Sequence, residues 1–187
     1  MADGASASGA SGSSWSLTPA AMARRLWAGI TTLPDAGGWT YTAGVGALTL
    51  GAMGAIGFST GFYALHPANT AGMPLRLLTV LLAPGFGEEA PFRGLLIPSR
   101  RETPRPWLAL AVVTPVFIAW HVFEAMTFLP AARAQFLRPD FLACAGALGV
   151  GCGLVRWRTG SLWPAVLLHW LAVTIWQTWL GGFTLDP

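Results

Sequence analysis

Apolar residues in this chain run in long stretches, separated by short polar joints that hold most of the arginines. Five stretches, about 41–65, 75–98, 107–129, 141–155 and 161–180, compare with the roughly 20 residues a helix needs to span a bilayer. The fourth is short and glycine-rich, which predicts a tilted or sheltered span. The first carries Gly44, Gly46, Gly51, Gly54, Gly57 and Gly61, which predicts close packing of that helix on a neighbour. Ahead of these, residues 1–18 are rich in Ser, Gly and Ala and offer little to bury, so they read as a disordered tail. They lack the basic start and apolar core of a signal peptide. Thr18-Pro19 reads as a helix cap followed by the first helical residue. It opens a helix over 19–36 with Met22, Leu26, Ile30 and Leu33 on one face and Arg24 and Arg25 on the other. Too short to span and clearly amphipathic, this segment is expected to lie in the membrane interface and to end at Gly37-Gly38. Residues 37–187 then form the transmembrane domain. The fold class is an all-α membrane protein with five transmembrane helices and an N-terminal interfacial amphipathic helix. No internal repeat is visible.

Composition narrows the function. The 187 residues are 53% hydrophobic and only 10% charged, against about 25% charged in soluble domains. Mean hydropathy is +0.54. A disordered chain, a nucleic-acid binder and an ordinary soluble enzyme are excluded, and the solvent is a lipid bilayer. The net charge of +3 comes entirely from arginine on the basic side. With the N-terminus inside, Arg24, Arg25, Arg100, Arg101, Arg105, Arg156 and Arg158 fall on the cytoplasmic side. Arg76, Arg133 and Arg138 fall outside and Arg93 within a span, so the positive-inside rule favours a cytoplasmic N-terminus. The plasma (inner) membrane of a bacterium is the expected location. Cys144 and Cys152, eight apart on one helix, are separated by about 12 Å along the axis. That is too far for a disulfide, and both read as small apolar fillers.

Ionisable groups at mid-bilayer depth cost about 2.5–3.5 kcal/mol each on insertion scales and so need a reason. Glu88, Glu89 and Arg93 lie in the second stretch, His121 and Glu124 in the third and His169 in the fifth. At the helical rise per residue, Glu88, His121 and His169 stand about 15, 21 and 12 Å from the cytoplasmic ends. A carboxylate and two imidazoles from three separate spans thus meet one middle layer. Glu89 and Arg93, at i and i+4, are placed to pair, whereas Glu88 points about 100° away with no local partner. Pro84-Gly85-Phe86-Gly87 just upstream is expected to loosen the helix beside Glu88. Phe117 lies one turn before His121. Glu124, three residues after His121, either holds the imidazole in one tautomer or is solvated at the outer interface.

These residues form a pattern. Glu-Glu-x-x-x-Arg at 88–93, Phe-x-x-x-His at 117–121, and a last helix opened by Gly160-Ser161-Leu162-Trp163-Pro164-Ala165 and bearing His169 resemble the CAAX protease and bacteriocin-processing (CPBP, or Abi) family of intramembrane proteases. The resemblance covers about 75–180. It implies that Glu88 and His121 activate water and that His169 helps to stabilise the oxyanion, with Glu89, Arg93, Phe117 and Glu124 in support. It also implies a membrane-associated protein or peptide as substrate: a lipidated tail, a bacteriocin leader or a C-terminal sorting anchor. The family's third motif, His-x-x-x-Asn or Asp, reads His169-Trp170-Leu171-Ala172-Val173 here, and a valine side chain neither donates nor accepts a hydrogen bond. A non-catalytic homologue that binds a membrane partner is therefore a second reading. A small proton-coupled transporter is a third, disfavoured by the absent repeat.

The chemistry reaches the same place independently. Hydrolysis of a peptide bond within lipid requires held water, a base and a donor for the developing oxyanion. Glu88 with His121 supplies the base without a covalent intermediate or cofactor. Zinc on Glu88, His121 and His169, with an open water position, is the alternative. Metal-free glutamate chemistry is preferred, because no HExxH motif or compact ligand pair is present.

Overall fold

The computed structural model describes residues 15–67 and 72–184. Seven α-helices and no strand occur among them, the one bridge being an isolated contact of His66 with Leu180. Helix α1 (Pro19–Thr31) starts where expected, with Thr18 Oγ1 accepting from the Ala21 amide. It ends at Thr31 rather than at 36, because the chain ahead of Pro34 turns extended. The Asp35 carboxylate accepts from the Gly38 amide at 2.7 Å and opens α2 (Ala36–Ser59). Gly37 and Gly38, expected to stop one helix, therefore lie in the first turn of the next.

The face that α1 turns inward also differs from expectation. Arg25, assigned to the polar side, is 4% exposed and its Nε lies 2.6 Å from Glu102 Oε2, whereas Trp27 and Leu33 are 70% and 74% exposed. A buried cation finds its partner 77 positions away, and helical periodicity carries no trace of such a pairing. The Trp15 indole donates to the Leu96 carbonyl at 2.9 Å, so the end of the expected tail is anchored; residues 1–14 of that tail lie outside the described residues.

The second apolar stretch is divided among three helical runs. Helix α3 (Met73–Val80) passes into wide π-helical turns over Leu81–Glu88 and Ala90–Leu95. Pro84 has no amide hydrogen and its ring crowds the preceding turn, and Pro91 repeats the problem. Widening the turn to i→i+5 accommodates both without breaking the helix. Further on come α4 (Trp107–Met126), a 3₁₀ turn (Pro130–Ala132), α5 (Arg133–Phe136), α6 (Pro139–Thr159) and α7 (Trp163–Trp179).

Helix α6 is the central element, packed on α2, α4 and α7. Its glycines share the close approach expected of α2, where Gly46 and Gly57 are buried, Gly46 against Leu168 and Gly57 where a Cβ would collide with the Tyr63 ring. A Cβ at Gly151 would collide with the Thr49 side chain, and one at Gly153 with Leu110. On α2 itself, a Cβ at Gly44, Gly51 or Gly54 would meet no atom within 4 Å, so those glycines face outward. Helix α6 ends on Gly160 at φ +70°, a left-handed cap that glycine adopts without steric cost. Helices α2, α4 and α6 are each long and apolar enough to cross a membrane. Helix α7, at 17 residues, and the divided stretch from α3 to Leu95 are shorter as single helices. The chain is an integral membrane protein.

Glu102 joins the 99–105 loop to α1. Partial burial pushes its carboxyl up, but the Ser99 amide and the Arg25 guanidinium outweigh burial and hold it below the usual carboxylate range. Because the folded value is depressed, its contribution is present above the ordinary value and lost as pH falls through the folded one. The wild type should therefore melt above Glu102→Gln at pH 7 in detergent. The gap should close as pH drops below about 4, as followed by thermal unfolding of both proteins across pH.

Candidate active site

The π-helical turns put the two adjacent acids to different uses. Glu89, fully buried, has Oε1 3.0 Å from Arg93 Nη1 and 2.8 Å from His169 Nδ1. The Arg93 pairing follows from the i, i+4 spacing. The His169 contact, across 80 residues, links the π-helical segment to α7. The Arg93 guanidinium lies 4.0 Å above the Phe117 ring and packs where α6 has only the hydrogen of Gly149. A buried cation is thus compensated by one carboxylate and one aromatic face.

Glu88 lies on the other side, on the wall of a cavity of about 400 Å³ shared with His121, Glu124 and His169. Its Oε2 stands 3.9 Å from His121 Nε2 and 4.0 Å from His169 Nε2. Both separations exceed a direct hydrogen bond. A water about 2.8 Å from each of two such atoms would subtend roughly a right angle, so either gap suits a bridging water. His121 Nδ1 lies 2.9 Å from the Phe117 carbonyl. A carbonyl only accepts, so Nδ1 carries the proton and the lone pair on Nε2 faces Glu88. Phe117, with no exposed surface, also stands edge-on to both imidazoles, at 4.7 and 5.9 Å between ring centres. The three groups expected at one depth, Glu88, His121 and His169, are therefore adjacent.

Glu124 departs from both sequence expectations. The Phe117 carbonyl, and not Glu124, orients His121 through Nδ1, and at 6% exposure Glu124 is no solvated interfacial residue. Its Oε2 is buried without a hydrogen-bond partner. Glu88, His121 and Glu124 each offer a ligand atom within 4.8 Å of the others. This donor set differs from the expected zinc ligands by Glu124 in place of His169.

Val173 lines the same cavity and brings no polar side-chain atom to it. The indoles of Trp120, beside the Glu124 carboxylate, and Trp176, whose nitrogen has no acceptor, line the cavity although the sequence did not single them out, and Gln177 joins them. Trp176 lies seven residues, two helical turns, after His169, so spacing alone placed it on the same face. Trp120 precedes His121 directly, and its part in the cavity depends on how α4 is packed. Much of the remaining wall is apolar, with Met53 from α2 and Phe62 and Tyr63 from the segment that follows it. Cys144 also lines the cavity, and both cysteines are buried free thiols.

Compared with known families, residues 70–175 match the model described as Rce1-like, type II CAAX prenyl endopeptidase Rce1-like. No curated protein and no solved structure matches the chain. The matched segment contains the acid pair, both site histidines, Arg93 and Glu124.

The two acids should respond differently to substitution. Arg93→Gln leaves Glu89 buried without its cation and should cost about 3–5 kcal/mol, read as a large fall in melting temperature. Glu88→Gln, on the cavity wall and without an ion pair at hydrogen-bond distance, should leave the melting temperature close to wild type.

Proposed function

The chain belongs to the Rce1-like family of type II CAAX prenyl endopeptidases, and on that premise we propose that it cleaves membrane-associated proteins or peptides within the bilayer by glutamate-activated water. The observation that carries the reading is Glu88 Oε2 near 4 Å from the Nε2 atoms of two buried histidines, at the edge of a largely apolar cavity. Substrates are polypeptides whose scissile bond lies near a membrane-embedded end, either lipidated or C-terminally anchored. The chain crosses the membrane five times, with the divided segment from α3 to Leu95 and with α7 completing the spans, and α1 lies at the interface. Its N-terminus and its arginine-rich end face the cytoplasm, in the plasma membrane of a bacterium.

In this mechanism a water between Glu88 and His121 gives a proton to the Glu88 carboxylate, while the lone pair of His121 Nε2 aligns it. The hydroxide adds to the scissile carbonyl carbon. His169, whose Nδ1–H is accepted by Glu89, donates from Nε2 to the oxyanion when the ring carries both protons. Glu88 then returns its proton to the leaving nitrogen as the C–N bond breaks, yielding a carboxylic acid, which keeps the second proton of the water, and an amine. Phe117 and Arg93 hold the imidazoles and Glu89 in place.

A metal-dependent version is the second reading, favoured by the donor set of Glu88, His121 and Glu124. A divalent ion there would polarise the carbonyl and supply bound water. A non-catalytic homologue is the remaining reading, motivated by Val173.

Protein termini compared between membranes of cells carrying wild type or Glu88→Gln decide the matter. A terminus made only by the wild type is expected, whereas identical profiles with both proteins folded would favour the non-catalytic reading. Stoichiometric metal in chelator-free protein, lost together with activity, would establish the metal-dependent version. If the missing donor at 173 limits turnover, Val173→Asn should raise kcat by about tenfold or more, since one oxyanion donor contributes about 10²–10³ in rate elsewhere. Single-turnover cleavage of an identified substrate measures it.

A further inference from the structure

A second cavity, of about 600 Å³, opens at the end of the molecule where the α1–α2 joint, the 99–102 turn and the last turn of α6 meet. Four arginines line it: Arg100, Arg101, Arg156 and Arg158. Two acids also line it; each holds hydrogen bonds to other groups, although the Glu102 charge also acts on Arg156. Asp35 caps α2 through the Gly38 amide, and Glu102 holds Arg25 and the Ser99 amide. The arginines are held at defined places. Arg100 lies over the Trp157 ring at 5.9 Å and Arg158 over the Tyr41 ring at 5.8 Å. The turn itself is tied to α6, with the Arg100 amide on the Trp157 carbonyl at 2.8 Å and the Trp157 indole on the Thr103 carbonyl at 3.0 Å.

Arg156 supplies the independent observation. It is 1% exposed and lies under Gly29 of α1, whose missing side chain leaves space for its guanidinium. Its Nη2 donates to the Arg25 carbonyl at 3.0 Å, while Nε and Nη1 are buried without any acceptor. A buried guanidinium with two unused donors is costly unless an anion takes them. Charged guanidinium N–H groups suit the oxygens of a phosphate.

We infer that this cavity binds a phosphate group, as carried by the headgroup of an acidic phospholipid, with Arg156 at its base and Arg100, Arg101 and Arg158 around its rim. The arginines stacked on Trp157 and Tyr41 fit the headgroup layer, where aromatic rings and basic side chains anchor membrane proteins. Neither Glu88 nor either site histidine lines this cavity, so the site is independent of the proteolytic reading.

The test uses the full chain purified in uncharged detergent, with three probes: phosphatidylglycerol, a diacylglycerol without phosphate, and inorganic phosphate. Retained lipid is counted by native mass spectrometry, and stability is followed by thermal unfolding. The wild type should retain phosphatidylglycerol at least about tenfold more strongly than the triple variant R100Q/R101Q/R158Q, and should retain diacylglycerol no better than that variant does. The rim residues are used because Arg156→Gln removes a buried side chain; an unchanged melting temperature without lipid certifies the triple variant as folded. If inorganic phosphate alone reproduces the wild-type stabilisation and the lipid adds nothing, the phosphate site stands and its ligand is a soluble anion. Equal retention of phosphatidylglycerol and diacylglycerol by the wild type, or undiminished retention by the folded rim variant, overturns the inference.

Discussion

One carboxylate, Glu89, meets two buried partners, one on its own helical segment and one far along the chain. It pairs with Arg93 one helical turn away and accepts from His169 on α7. Taking it out of water is tolerable only because both contacts are made together. The arrangement fixes more than itself. Arg93 must lie against Phe117 and the bare backbone at Gly149, which sets how α4 and α6 meet the π-helical segment. Phe117 in turn gives its carbonyl to His121 and its ring to both imidazoles. The groups around Glu88 are therefore oriented by a framework in which Glu88 itself takes little part.

The sequence was most legible where local spacing and membrane cost act together. The Glu89–Arg93 pair follows from i, i+4, and the shared depth of Glu88, His121 and His169 follows from counting residues along apolar stretches. Loosening at Pro84 was legible too, though the chain responds by widening its turn and not by opening a break. Contacts that depend on which helix meets which were not legible. The burial of Arg25 rests on Glu102, and that of Glu124 on how α4 turns toward the cavity. The outward α2 glycines misled because small residues mark close packing only when a partner is opposite them, and here the partner's own glycines make part of the approach.

Helix boundaries failed for a related reason. Asp35 and Pro34 outvoted the glycine pair as punctuation, because a carboxylate accepting from an amide defines a helix start more strongly than glycine defines a stop.

The origins of the cavity wall carry a separate consequence. The ionisable groups at its edge lie within residues 70–175, the segment shared with the family, whereas Met53, Phe62, Tyr63, Trp176, Gln177 and Phe183 come from outside it. The reactive groups thus lie in the shared segment alone, whereas part of the surface that would surround a guest is encoded outside it. Selection can reshape what the pocket admits by changing the flanking helix and the C-terminal turn, while the polar constellation stays constant. Two relatives identical through the shared segment can then still line this cavity differently, at its flanking-helix and C-terminal edges.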